Sequence, residues 1–134
     1  MTNDQRRKII VADDEKFMRR LTSQILGQEF PEFELEFLED GNSLEAKLNE
    51  GIASVRLIVT DNEMPGVHGS ELIRRYAPKL KERKIPFVLL YGGDESIGQQ
   101  AVKNGAFGYV LKPHIVSPLV DLVNRALIHP DYQI

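Results

Sequence analysis

Short apolar runs alternate along this chain with longer segments whose apolar residues recur every three to four positions. The first run, Lys8 to Ala12, stops at three consecutive acids, Asp13, Asp14 and Glu15. Phe17, Met18, Leu21, Ile25 and Leu26 then fall at helical spacing, which predicts an amphipathic helix over residues 15 to 27 that ends near Gly27. Phe33 to Leu38 alternates apolar with acidic residues, as an edge strand with one face in water does. Asn42 or Ser43 is the expected cap of a second helix, which carries Leu44 and Leu48 and runs to Gly51.

Leu57 to Thr60 is apolar except at its end and rich in β-branched side chains, the mark of a short strand buried on both faces. Asp61 follows it directly. A third helix is predicted from about Gly69 with Leu72, Ile73 and Tyr76 on one face, and Pro78 is expected to bend or shorten it. Phe87 to Tyr91 is a fourth strand ending in Gly92-Gly93-Asp94. The helix from Glu95 to Asn104, stopped by Gly105, is weakly amphipathic and is expected to be among the least firmly packed elements. Tyr109 to Leu111 forms a fifth strand before Lys112-Pro113. Ser117 is the expected cap of the last helix, with Pro118 in its first turn and a buried stripe of Leu119, Leu122, Val123, Ala126 and Leu127.

Five strands alternating with five helices predict a parallel sheet covered on both faces: a flavodoxin-like, doubly wound (βα)5 sandwich of order 2-1-3-4-5. Residues 1–134 read as a single domain with a core of about 8–128. The absence of cysteine removes disulfides, thiolate metal sites and a cysteine nucleophile from consideration. The apolar run IIVA is too short for a signal-peptide core and no segment reaches membrane-spanning length, so a cytoplasmic protein without a membrane partner is expected. The net charge of -3 argues against general attraction to nucleic acid, and the clusters Arg6-Arg7-Lys8 and Lys79 to Lys84 lack interleaved aromatics.

The predicted strand order makes the first and third strands neighbours, so Asp13, Asp14 and Asp61 converge at the carboxyl edge of the sheet, where such folds bind ligands. Asp61 and the acid trio could instead serve as helix caps, and Lys112 as a surface lysine. Three carboxylates at close quarters need a cation among them or a raised pKa. With neither thiolate nor imidazole in the set, a hard, oxygen-preferring ion such as Mg²⁺ fits best. Lys112 reaches the same place from the fifth strand and could hold a phosphoryl oxygen.

The segments ADDEKFMRRL (12 to 21), VTDNEMPGVHG (59 to 69) and GAFGYVLKP (105 to 113) resemble the receiver domains of two-component response regulators, most closely the small chemotaxis-type regulators. The likeness covers nearly the whole chain. It implies that Asp61 accepts a phosphoryl group from a histidine kinase or phosphotransfer protein. It implies Mg²⁺ held by Asp13, Asp14, Asp61 and the main-chain carbonyl of Glu63, Lys112 against the phosphoryl group, and a cis Lys112-Pro113 bond. It further implies an aromatic switch at Tyr109 and a downstream protein partner on the fourth helix, fifth strand and fifth helix, a surface that also permits a homodimer.

One position departs from the pattern. Most receivers end the fourth strand in Thr or Ser, and this chain has Tyr91. Either its ring lies over the site and fills the space into which Tyr109 would swing, or it points to solvent. Tyr109 could equally be an aromatic flanking the core. Glu63 could repel an approaching anion or order a hydrolytic water. His68 and His114 share no ligand geometry and read as exposed loop residues. Besides the phosphoacceptor, a degenerate receiver serving as a constitutive interaction module remains open, which Tyr91 favours. So does an Mg²⁺-dependent phosphohydrolase with Asp61 as nucleophile. A flavin-binding flavodoxin is weakest, because ADDEKF would repel its phosphate.

Overall fold

The computed structural model describes residues 6–112 and 115–133. Strands β1 (Lys8–Ala12), β2 (Glu34–Leu38), β3 (Val55–Asp61), β4 (Phe87–Tyr91) and β5 (Gly108–Leu111) alternate with helices α1 (Lys16–Glu29), α2 (Gly41–Glu50), α3 (Gly69–Glu82), α4 (Glu95–Lys103) and α5 (Val116–Ile128). The strands form one parallel sheet of order β2-β1-β3-β4-β5, as the alternation predicts. Side chains alternate across it. Ile9, Val11, Leu57, Val59, Val88 and Leu90 pack with α1 and α5, whereas Ile10, Ala12, Ile58, Leu89 and Tyr91 pack with α2, α3 and α4. β3 is buried along its whole length, so Asp61 is carried on the most enclosed strand.

Several local expectations are corrected by tertiary contacts. Helix α1 runs past Gly27 to Glu29, because Leu26 and Phe30 are buried and Phe30 N donates to the Leu26 carbonyl at 2.8 Å, which holds the last turn. The cap of α2 is Asp40, whose carboxylate accepts from Ser43 N at 2.7 Å. Gly41 opens that helix because a Cβ there would lie 1.8 Å from the Val67 carbonyl oxygen. Helix α5 begins at Val116 after buried Ile115, so Ser117 sits within its first turn and does not cap it. Pro78 lies inside α3 without shortening it. Pro78 and Arg74 are both exposed, so the carbonyl that loses its partner faces water.

β2 is an edge strand; on its acidic face Glu34 is exposed as expected, but Glu36 is covered. Lys8 and Lys47 each place Nζ 2.9 Å from the Glu36 carboxylate, while Phe37 on the other face is 38% exposed. Of the basic clusters, Arg6 donates to the carbonyls of Arg83 and Lys84 and Lys79 to that of Leu48, while Arg7, Lys81, Arg83 and Lys84 are exposed. Beyond α5 a short 3-10 turn, Pro130–Tyr132, lays Tyr132 edge-on against Phe107 and His129.

Helix α4 buries only Gly98 and Ala101. Gly98 gives β5 close access to it: a Cβ there would sit 2.4 Å from the Tyr109 ring. Gly98→Ala is therefore expected to destabilise the protein by about 1–2 kcal/mol despite the better helix propensity of alanine, because the obstacle is the body of a ring and not a flexible tip. Urea denaturation of the variant measures this.

Candidate functional site

Asp13 follows β1, Asp61 closes β3 and Lys112 follows β5, so three strands deliver their side chains to one end of the sheet. Asp13 is fully buried and Asp61 nearly so, whereas Asp14 is exposed. One carboxylate oxygen from each of Asp13, Asp14 and Asp61 lies within 4.8 Å of the others. Lys112 Nζ stands 3.0 Å from Asp13 Oδ2 and 3.0 Å from Asp61 Oδ1, with Glu15 farther off at 3.7 Å. The backbone prepares this reach, since Lys112 N donates to the Tyr91 carbonyl at 2.7 Å and continues the β4–β5 ladder to the site. Asp13 is fixed in turn: its Oδ1 accepts from Glu15 N at 2.9 Å and its carbonyl from Arg19 at 2.9 Å.

Charge crowding shows in the titration of the groups. Burial, reinforced by the neighbouring Asp13 carboxylate, pushes Asp61 up to about 6 against the opposing pull of Lys112. Burial alone would lower Lys112, but Asp13 and Asp61 outweigh it and hold the ammonium above its ordinary value. Two buried carboxylates and one ammonium leave an unbalanced negative charge beside the exposed Asp14. All-oxygen donors of that charge suit a hard divalent cation, so the residues fit Mg²⁺. Glu63 is exposed on the rim, and its carbonyl enters no backbone hydrogen bond among the described residues.

The loop between β3 and α3 is firmly held. Asn62 N donates to the Leu90 carbonyl and Gly69 N to the Asn62 carbonyl, both at 2.9 Å, while Met64 is buried in the core. The resulting cavity of about 590 Å³ is lined by Asp14, Glu15, Asp61, Glu63, Met64, Pro65, His68, Gly92 and Lys112. Glu15 and His68 belong to this wall although sequence reasoning gave neither a role; their place directly after β1 and in the loop after Asp61 was the available signal. His68 is exposed, as expected. His114 and the Lys112–Pro113 bond lie outside the described residues.

Tyr91 neither points to solvent nor lines the cavity, so the expected shielding of the pocket mouth is not what its ring does. It is 1% exposed and packs among α4-side core residues, its ring edge-on to Tyr109 with centroids 5.6 Å apart. At that point the cavity wall is Gly92. Tyr109 is half-buried, and its hydroxyl donates to Glu95 at 3.4 Å.

An open parallel sheet with a lysine-braced carboxylate cluster at its switch point defines the class: a doubly wound α/β protein with a charged pocket at one edge. The family profile of the response regulator receiver domain matches residues 9–124, and the chain belongs to that family, the receiver domains of two-component systems. Among curated relatives, it is 32% identical over 137 residues to the transcriptional regulatory protein DegU of Brevibacillus brevis, covering 96% of this chain and 55% of that one. It is 31% identical over 121 residues to the phosphate regulon transcriptional regulatory protein PhoB of Rhizobium meliloti, covering 90% and 52%. The chain spans from about a quarter to about half of the length of such relatives. A receiver domain protein from Clostridium thermocellum superposes with a TM-score of 0.77 at 24% identity, covering 90% of this chain and 93% of that one. The beryllofluoride-activated DrrB receiver domain gives 0.74 at 25% identity, covering 90% and 96%.

Proposed function

We propose that this chain is a cytoplasmic phosphoacceptor: Asp61 takes a phosphoryl group from a histidine kinase or phosphotransfer protein, and the domain signals by changed protein binding. The observation that carries this is the position of Lys112 Nζ, 3.0 Å from both Asp13 and Asp61 at the floor of an open cavity. Asp61 is the nucleophile, with a carboxylate oxygen that attacks phosphorus in line as the donor's leaving group departs. Lys112 neutralises charge on the arriving phosphoryl oxygens, and the buried Asp13 orients Lys112. Asp13, Asp14, Asp61 and the Glu63 carbonyl would hold Mg²⁺, which supplies charge neutralisation when bound. Likeness to a beryllofluoride-activated receiver supports the same assignment. No helix among the described residues is long and apolar enough to cross a membrane. The chemistry is confined to gain and loss of one phosphoryl group on Asp61, with no turnover of small phosphate esters. The partner surface is α4, β5 and α5, where Val102, Leu111 and Val116 are exposed, and it can also serve a homodimer.

Incubation with acetyl phosphate and Mg²⁺ is expected to give a phosphoryl adduct by intact mass, absent without Mg²⁺ and absent in Asp61→Asn. A beryllofluoride complex with the same requirements covers a short-lived adduct. A folded protein that binds Mg²⁺ yet forms neither overturns this reading. The second reading, a phosphorylation-independent interaction module, then takes its place, and the ring of Tyr91 filling the α4 side is the observation in its favour.

A further inference from the structure

His68 lies on the wall of the cavity that holds Asp61, and its imidazole has no hydrogen bond or ion pair among the described residues. It occupies the N-cap position of α3, where a side chain ordinarily accepts from the first helical N–H groups, yet it makes no such bond. Asn62 does that work instead, its Oδ1 accepting from Ser70 N at 2.9 Å. The residue after His68 is pressed against the acceptor's own backbone: a Cβ on Gly69 would lie 2.2 Å from the Asp61 carbonyl oxygen. The loop thus brings His68 to the wall of the cavity and leaves the residue exposed to water.

We propose that His68 is the general base that hydrolyses the phosphoryl group on Asp61 and so sets the lifetime of the signal, an inference that rests on the phosphoacceptor reading. In-line attack puts the water on the far side of phosphorus from Asp61, so a base within hydrogen-bond reach of that water stands about 6–7 Å from the acceptor oxygen. Groups within the carboxylate cluster are too close, since their oxygens lie within 4.8 Å of one another. His68 shares the cavity but does not join that cluster. In the step, the water oxygen bonds to phosphorus as the bond from phosphorus to the Asp61 oxygen breaks. The electron pair of that bond returns to the Asp61 carboxylate, one water proton passes to a His68 ring nitrogen, and inorganic phosphate leaves. Glu63 and Glu15, both exposed on the same wall, are the competing acceptors of that proton; Glu15 is held toward Lys112 at 3.7 Å, which leaves Glu63 as the comparison to make.

The test loads the intact chain with acetyl phosphate and Mg²⁺, removes the donor, and follows decay of the adduct by mass. His68→Asn, which keeps a residue able to cap α3, and His68→Ala are compared with Glu63→Gln. Decay is expected to slow about 100-fold in both His68 variants and much less in Glu63→Gln, within the range typical of a positioned base. Added imidazole should restore part of the lost rate in His68→Ala, an effect a merely structural role cannot produce. Unchanged decay in the His68 variants overturns the proposal, as does slowed decay that imidazole leaves untouched or a larger effect at Glu63. A wild-type chain that forms neither adduct nor beryllofluoride complex overturns the acceptor reading and this inference with it.

Discussion

Replacing Asp61 by asparagine is expected to stabilise the metal-free protein by about 3 kcal/mol at pH 8, the opposite of what loss of a buried ion-pair partner usually does. An ordinary aspartate titrates near 3.8, and Asp61 is raised to about 6 by burial and by Asp13. A group whose pKa is higher in the folded state favours folding when protonated. That contribution is complete below 3.8 and is lost as pH rises through 6. Above pH 6 the carboxylate therefore opposes folding, by the free energy of about two decades of displaced proton affinity. Asparagine removes the charge, and Lys112 keeps Asp13 at 3.0 Å. Urea denaturation in EDTA should show the advantage at pH 8 and its disappearance near pH 4. Saturating Mg²⁺ should shrink or reverse it, because the proposed Mg²⁺ site loses one of its carboxylates in the variant. A variant less stable than wild type at pH 8 would show that Lys112 outweighs burial.

The acids and the lysine were legible in the sequence because each follows a short apolar run, and five such runs alternating with amphipathic segments suit the one of the two common doubly wound orders that gathers them. Asp61 needed only the pattern of LIVTD. What escaped was set by contacts between distant residues. Asp40 caps α2 because Gly41 alone fits beneath the Val67 carbonyl, a clash no local window contains. Gly27 looked like a helix stop, but the burial of Leu26 and Phe30 carries the helix beyond it. Glu36 looked water-facing until Lys47, eleven residues on, closed over it. His68 read as a loop residue because its relation to Asp61 depends on the fold-back at Gly69 and not on spacing.

Tyr91 leads to the last expected result, since its position was plain in the sequence and the direction of its ring was not. The ring is buried against α4-side core residues and meets Tyr109 edge-on. The Tyr109 ring also lies close against Gly98, and its hydroxyl donates to Glu95 at 3.4 Å. The interior space beside Tyr109 is thus filled by another ring, so phosphorylation of this chain should leave the Tyr109 ring in its half-buried place and act on partners through the Gly92-Gly93 loop and α4. Tyr91→Thr should cost about 3 kcal/mol, the usual scale for deleting most of a buried aromatic side chain, and it should vacate that space. Tyr91→Phe keeps the ring and should cost far less. With fluorinated tyrosine, the Tyr109 resonance, assigned by Tyr109→Phe, should barely respond to beryllofluoride in the wild type and in Tyr91→Phe. In Tyr91→Thr it should shift strongly as the ring moves inward. A wild-type shift as large as that of Tyr91→Thr would mean that the two rings move together and that Tyr91 is part of the switch, not an obstruction to it.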